Sequence, residues 1–307
     1  MNRILVTGGA GFIGSHVVAR FQGAAEVTVL DDFRSGHHRN LDGLACRLVT
    51  GSILDEGKLA KAIEGADAVF HLAAMISVPE SVSSPRLCEE LNTLGTERVL
   101  QAAVKAGARK VVLASSAAIY GDSPVVPKVE TMTPDPRSPY ASTKLAGEQL
   151  LEHYRRAHGL STTSLRFFNV FGPRQDPASA YAAAIPSFIT RALRHDPITI
   201  HGDGGQTRDF VYVEDVVGAL AFVAARPDLH GVFNVGYGES VSILRLAEEI
   251  IRLAGSRSAI SHSDPRPGDV RHSLAGADKL RAAGWKPAFT VSEGLARTID
   301  FYRRVRA

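Results

Sequence analysis

Cysteine is scarce in this chain: Cys46 and Cys88 are the only two in 307 residues. Two thiols cannot build a disulfide framework or a cysteine metal site, and their scarcity fits a reducing compartment. Long apolar runs are missing too. None reaches the ~18 residues of a membrane span, so no membrane association is expected. The first ten residues read as a strand and a glycine turn, which leaves no room for a secretory leader and makes a cytoplasmic location the expectation. Charge of one sign is also lacking. Lys and Arg number 35 against 32 Asp and Glu, a formal charge of +3, which is too small a surplus to suggest a nucleic-acid partner. The basic end Arg303-Arg304-Val305-Arg306 reads as solvated surface. His37 and His38 have no partners at metal-ligand spacing, and no metal site is expected. No repeat and no low-complexity segment interrupts the chain.

What is present begins at the N-terminus. Ile4-Leu5-Val6 reads as a buried strand running into Gly8-Gly9-Ala10-Gly11-Phe12-Ile13-Gly14, a G-x-x-G-x-x-G turn that opens a helix. Such glycines allow a tight turn, close approach of backbone to a pyrophosphate, and packing of helix on sheet. The helix N-terminus then offers unsatisfied N–H groups to phosphate. A second apolar strand, Val27-Thr28-Val29-Leu30, ends at Asp31, 17 residues after Gly14. A carboxylate there accepts from the adenosine ribose hydroxyls and repels a 2′-phosphate, so NAD is favoured over NADP. Arg34, close behind it, works against that preference.

Further strands are read at Arg47–Ile53, at Ala68–Ala74 and at Val111–Ala114. Helices are read at Glu56–Ile63 and Arg86–Ala106. Leu72, Ala73 and Ala74 end their strand in small residues that let backbone pass near a ligand. Near-continuously apolar strands alternating with helices predict an α/β fold, a Rossmann-type parallel sheet with helices on both faces. The length suggests a first domain over 1–165, to which later segments return, and a smaller mixed C-terminal lobe over 166–307.

The centre of the chain carries the chemistry. Ser115-Ser116 closes an apolar strand, and Ser138-Pro139-Tyr140-Ala141-Ser142-Thr143-Lys144 follows. On a helix, Tyr140 and Lys144 share one face. A phenol with a pKa near 10 is a poor base at neutral pH, but an ammonium beside it favours the phenolate. With Ser116 sharing a hydrogen bond, such a trio can move a proton on or off an alcohol while hydride moves at the adjacent carbon.

Together these motifs resemble the extended short-chain dehydrogenase/reductases, and within them the UDP-glucose/UDP-N-acetylglucosamine 4-epimerases, across essentially the whole chain. The resemblance implies retained NAD and reversible epimerisation at C4 of a UDP-hexose through a 4-keto sugar. Tyr140 is then base and acid, Lys144 lowers its pKa and binds the nicotinamide ribose, and Ser116 holds the C4 oxygen. Gly8, Gly11, Phe12, Ile13, Gly14, Asp31, Leu72, Ala73 and Ala74 line the cofactor. Where the family often has Gly-Asp-Ile, this chain has Gly51-Ser52-Ile53, so Ser52 and Ile53 meet the adenine without a charge. Sibling dehydratases place acidic residues just after the serine or threonine, because eliminating water needs an additional acid and base. Ala117 and Ala118 stand there instead.

The C-terminal half supplies the substrate side. Arg166-Phe167-Phe168-Asn169-Val170-Phe171-Gly172-Pro173 resembles the family's strand-exit motif, whose Asn169 contacts the sugar nucleotide. Residues 198–215 read as a strand, a glycine hairpin and a second strand that presents Arg208, a fork-shaped donor suited to a diphosphate. Asp209 and Asp215 read as structural, Asp215 as a helix cap at Val216, and Trp285 as packing. The resemblance adds Arg266 as a second diphosphate ligand, Asp269 on the uridine ribose, and Ser273 as the gate beside the sugar C2 substituent. Bulky tyrosine at that gate excludes an N-acetyl group, so Ser273 favours UDP-N-acetylglucosamine and UDP-N-acetylgalactosamine alongside the plain hexoses. The alternatives are a UDP-glucuronate 4-epimerase, another NAD-dependent nucleotide-sugar oxidoreductase, and a nucleotide-binding regulatory protein. The resemblance further implies a homodimer built on the helices at 86–106 and 140–158.

Overall fold

The computed structural model describes residues 1–177, 184–265 and 270–306. Its elements run β1 (Arg3–Thr7), α1 (Phe12–Phe21), β2 (Glu26–Asp31), β3 (Arg47–Thr50), α2 (Glu56–Ile63), β4 (Ala68–His71), α3 (Val78–Ser83), α4 (Pro85–Glu89), α5 (Gly95–Lys105), β5 (Lys110–Ser116), α6 (Pro139–His158) and β6 (Ser161–Phe167). There follow β7 (Asn169–Phe171), α7 (Ala184–Ala192), β8 (Ile198–His201), β9 (Thr207–Tyr212), α8 (Val213–Ala224), β10 (Gly231–Val235), β11 (Ser240–Ser242), α9 (Ile243–Ala254), β12 (Ile260–Ser263), α10 (Asp278–Ala282) and α11 (Val291–Arg306). Two units divide the chain. One comprises Met1–Gly121, Glu130–Phe167 and Val217–Asn234; the other comprises Asp122–Val129, Phe168–Val216 and Val235–Ala307.

The first unit is built on a seven-stranded sheet in the order β10-β6-β5-β4-β1-β2-β3. Parallel pairing sets Leu5 of β1 opposite Thr28 of β2 on one side and Val69 of β4 on the other. The apolar runs explain this placement: Ile4, Leu5, Val6, Val69 and Phe70 are all buried, as strands covered on both faces must be. Burying a side chain such as Leu5 contributes about 1.5–3 kcal/mol. The chain leaves β1 toward β2 and β3, then returns to the other side of β1 at β4. In parallel sheets the crevice for a ligand opens at that reversal, beyond the carboxyl ends of the strands. The predicted parallel sheet with flanking helices is therefore the one observed.

The helix read over 86–106 is interrupted. Between α4 and α5, Glu90–Leu94 forms a π turn, a feature that appears inside helices mostly as a single turn. Its extra residue accompanies an inward-facing Asn92. The Asn92 amide accepts from the Met75 N–H at 2.7 Å and donates to the Met75 carbonyl at 3.1 Å.

In the second unit, β11-β9-β7 make one sheet and β12-β8 another. The hairpin expected between 198 and 212 does not form. Gly202 and Gly204 both take positive φ, at 76°, and β8 pairs instead with β12 in parallel, Ile198 opposite Ile260. β9 is taken by β7 and β11. Asp215 also departs from its expected role. α8 starts earlier, at Val213, and the Asp215 carboxylate accepts from the backbone N–H of Ala288 at 2.6 Å and of Phe289 at 3.3 Å. Trp285 is buried, as packing requires. Phe171, Phe210, Tyr212 and Phe289 contact one another in a tilted and edge-on cluster.

Among the described residues, no helix is long and apolar enough to cross a membrane.

Candidate active site

The glycine turn is a cradle with no space for side chains. A Cβ on Gly8, which has a φ of +71°, would stand 2.7 Å from the Ala73 nitrogen, and one on Gly14 would stand 2.1 Å from the Gly8 carbonyl oxygen. Gly11 is the N-cap of α1 and no side chain caps that end. The first-turn N–H groups of Phe12, Ile13 and Gly14 are thus not taken by a capping side chain, as a pyrophosphate requires. Across the turn, Leu72 N–H donates to the Thr7 carbonyl at 3.1 Å and Ala73 N–H to Thr7 Oγ1 at 3.3 Å. Leu72, Ala73 and Ala74 are half-buried beside the glycines.

Asp31 ends β2 as a buried carboxylate. Its Oδ2 accepts from the Ala10 N–H and its Oδ1 from the Phe33 N–H, both at 2.8 Å. Burial pushes its pKa up from the ordinary 3.8, and these two hydrogen bonds oppose the rise. The side chains at 52–53 lie beyond β3. Ser52 Oγ accepts from the Leu54 N–H at 3.2 Å. Ile53 is buried in the core, so close to α5 that a Cβ on Gly95 would come within 2.5 Å of its Cδ1.

The central trio comes together on β5 and α6. Ser138 caps α6, accepting from the Ala141 N–H at 3.2 Å, and Pro139 occupies the first turn, a pairing that starts helices well. Tyr140 N–H, otherwise an orphan of that turn, donates to Ser81 Oγ at 3.2 Å. Ser116 closes β5 and accepts from the Ala118 N–H at 3.1 Å. Its hydroxyl stands beside the Tyr140 phenol. Burial raises the pKa of that phenol above the ordinary 10, and the Ser116 hydroxyl pulls it back. One turn along α6, the Lys144 Nζ lies 5.8 Å from the Tyr140 ring centroid and donates to the Ala114 carbonyl at 2.9 Å. Lys144 is 6% exposed. Burial pushes its pKa down to about 8, with the Glu148 charge among the influences working the other way.

The second unit holds a separate set. Asn169 on β7 donates from Nδ2 to the Asp209 carbonyl at 3.1 Å. Arg208 on β9 is half-buried, with Nη1 donating to the Thr207 carbonyl at 2.8 Å. Ser273 is half-buried and its N–H donates to the same Thr207 carbonyl at 3.1 Å, so Arg208 and Ser273 converge on one peptide. The buried Asp209 carboxylate ties neighbouring loops, accepting from the N–H groups of Tyr237, Gly238 and Ala275 at 2.7–3.0 Å. Arg266 and Asp269 lie outside the described residues.

Residues 4–236 match the family model described as the NAD dependent epimerase/dehydratase family. The chain belongs to that family. It is 39% identical over 309 residues to the UDP-glucose 4-epimerase of Mycolicibacterium smegmatis, with 98% of each chain covered. It is similar, at a TM-score of 0.95 and 38% identity over 99% of each chain, to a UDP-N-acetylglucosamine 4-epimerase from Methanobrevibacter ruminantium solved with UDP-N-acetylmuramic acid. A UDP-glucose 4-epimerase from Thermus thermophilus, solved in complex with NAD, matches at a TM-score of 0.90 and 38% identity, covering 98% of this chain and 99% of that one.

Two buried networks in this member of the epimerase/dehydratase family were not foreseen from its motifs. In the first, Glu148 accepts from Ser115 Oγ at 2.6 Å and, at Oε1 and Oε2, from Arg166 Nε and Nη2 at 2.9 and 2.7 Å. Glu148 lies four residues beyond Lys144, so helical spacing alone could have marked it. In the second, His71 joins Thr7 and Thr96 at 2.8 and 3.0 Å. Thr96 donates to the Asn92 carbonyl, so its oxygen accepts from Nε2–H of His71 and Nδ1 accepts from Thr7. Burial, with the Lys144 charge adding to it, pushes the His71 pKa down to about 3, and the ring stays neutral. Asn92 Nδ2 donates to Thr143 Oγ1 at 3.1 Å and Thr143 to the Tyr140 carbonyl at 2.9 Å. A continuous polar chain thus runs from the end of β1 to the first turns of α6.

Proposed function

We propose that the chain is an NAD-dependent nucleotide-sugar 4-epimerase, interconverting the C4 epimers of a UDP-hexose through a 4-keto sugar. The observation that carries this reading is the convergence of Ser116 at the end of β5 on the Tyr140 phenol, with the Lys144 Nζ 5.8 Å from the Tyr140 ring centroid, in the same unit as the glycine cradle and Asp31. Bound NAD supplies the two-electron acceptor and donor for C4. Gly8, Gly11, Phe12, Ile13 and Gly14 would hold its pyrophosphate, and Asp31 its adenosine ribose. Ser52, Ile53, Leu72, Ala73 and Ala74 would line it. Tyr140 removes the proton of the 4-hydroxyl and later returns it, Ser116 holds the same oxygen, and Lys144 favours the phenolate by its charge. Ala117 and Ala118 offer no acid for eliminating a hydroxyl, which supports epimerisation over dehydration.

In this reading the first unit binds NAD and the second binds the sugar nucleotide, with Asn169, Arg208, Arg266 and Asp269 on the UDP portion. Ser273 beside C2 admits N-acetylated sugars as well as glucose and galactose. A homodimer is part of the same reading. Exposed apolar side chains on the stretch read at 86–106, Leu94 at 39% and Val104 at 36%, support it.

The test is to incubate the purified chain, without added cofactor, with UDP-N-acetylglucosamine and separately with UDP-glucose. The products are read by NMR. Conversion of both supports the reading. Conversion of UDP-glucose alone removes the gate assigned to Ser273. If neither reacts even with NAD added, while UDP-glucuronate does, the substrate assignment is wrong.

A further inference from the structure

The loop after β2 carries a cation close to the position where NAD and NADP are told apart. Arg34 lies three residues beyond Asp31, in a loop that folds back on that acid. Phe33 N–H donates to Asp31 Oδ1 and His37 N–H to the Ala10 carbonyl. A Cβ on Gly36 would stand 3.0 Å from both Ala10 and Asp31 Oδ1. A guanidinium so placed is the group a ribose 2′-phosphate would recruit, because its planar fork donates two charge-assisted hydrogen bonds to phosphate oxygens.

That guanidinium is engaged elsewhere. Arg34 Nη2 lies 2.5 Å from Glu80 Oε1, with the two side chains 40% and 39% exposed. Glu80 is set in place by α3. Its own N–H donates to the capping Ser77 Oγ at 3.2 Å, and the next residue, Ser81, accepts from the Tyr140 N–H. The Arg34 N–H in turn donates to Asp32 Oδ1 at 3.1 Å. Three carboxylates, those of Asp31, Asp32 and Glu80, thus stand on or against this loop, and the ion pair turns the Arg34 side chain toward α3.

We propose that Glu80 is a specificity-determining residue: by pairing with Arg34 it denies a 2′-phosphate its cation and keeps the site selective for NAD over NADP. This rests on the NAD-binding reading above. Asp31 supplies repulsion of its own, and an exposed ion pair is a modest interaction. Removing Glu80 therefore narrows the preference and does not reverse it.

The experiment is fluorescence titration of NADH and NADPH into the full chain freed of copurifying nucleotide. Wild type, Glu80→Gln, and the double variant Arg34→Ala/Glu80→Gln are compared. The expected result is a preference for NADH in wild type that narrows about fivefold in Glu80→Gln through tighter NADPH binding. The double variant is expected to lose that gain. NADH affinity in Glu80→Gln reports whether the site is intact. An unchanged ratio in Glu80→Gln, or a gain that survives removal of Arg34, overturns the inference alone. Failure of the wild-type chain to bind NADH overturns the NAD reading on which it rests.

Discussion

Glu148 and Arg166 meet as a two-pronged ion pair inside the first unit, their side chains 5% and 4% exposed. The pair also receives Ser115 Oγ, and Ser115 sits between Ala114, which accepts from Lys144, and Ser116. Burial alone would lower the Arg166 pKa, but the hydrogen bonds and charge of Glu148 hold it above its ordinary value. The guanidinium also lies 4.8 Å from the Tyr120 ring centroid. Removing one partner strands the other charge in a low-dielectric interior. Arg166→Met alone, or Glu148→Gln alone, is therefore expected to cost about 3–5 kcal/mol. The double variant Glu148→Gln/Arg166→Met should recover a large part of that loss. Urea denaturation of the single and double variants measures the coupling, and additive losses would show that the charges do not depend on one another.

Tyr140→Phe removes the group proposed as proton acceptor and little else. In the proposed reaction the hydroxyl serves the chemistry, while the helix start depends on Ser138 and on the Tyr140 backbone N–H, both kept by the variant. Epimerisation is expected to fall by about 10²–10⁴, the usual scale for a positioned acid or base, with denaturant midpoint and NAD content unchanged. A variant that retains activity within tenfold of wild type would remove Tyr140 from the proton transfer.

The parts of the site written in contiguous sequence were legible in advance. Strand, glycine turn, helix, strand and Asp31 follow one another within 31 residues, and Tyr140 and Lys144 are a helical turn apart. The parts assembled from distant segments were not. Thr7 reaches His71 across 64 residues and Arg34 reaches Glu80 across 46, and neither pair has a spacing rule to announce it. The same limit explains the missing hairpin. Two short strands around a glycine turn read as partners, yet β8 found a parallel partner 62 residues on. Asp215 was correctly read as structural, but its ligands are N–H groups 73 and 74 residues away and not those of its own helix.

Ser273→Tyr tests the gate. The Ser273 N–H is fixed to the Thr207 carbonyl on which Arg208 also converges, so the backbone should hold its place while the side chain grows. Turnover of UDP-N-acetylglucosamine is expected to fall at least tenfold relative to UDP-glucose, since excluding a group by bulk discriminates more strongly than leaving room for it. Equal losses on both sugars would indicate damage to the loop and not a gate.

Lys144 makes stability rise with pH, as acid-labile ion pairs do, but in an alkaline window and not an acid one. Burial pushes its pKa from the ordinary 10.5 down to about 8. The unfolded chain therefore binds more protons than the folded one between about pH 8 and 10.5, and stability rises with pH through that window. Below about 8 the folded state bears the full cost of a buried ammonium, about 3 kcal/mol for a shift of this size. Lys110 is pushed to about 8 by burial as well, with its Nζ donating to Ser161 Oγ and to the carbonyls of Arg226 and Leu229. It adds a contribution of the same sign. The raised phenols of Tyr120 and Tyr140 act the other way above their ordinary value of 10, and the Cys46 thiol, raised by burial, does so above its ordinary 9, so the difference between wild type and a Lys144 variant over pH 8–9.5 is what isolates Lys144. Urea unfolding across that range should show stability increasing with pH in wild type. Lys144→Met should show a smaller slope than wild type and greater stability near pH 7. Parallel curves for the two proteins would mean that Lys144 keeps its ordinary pKa in the fold, and its influence on Tyr140 would then be that of a fully charged ammonium throughout the neutral range.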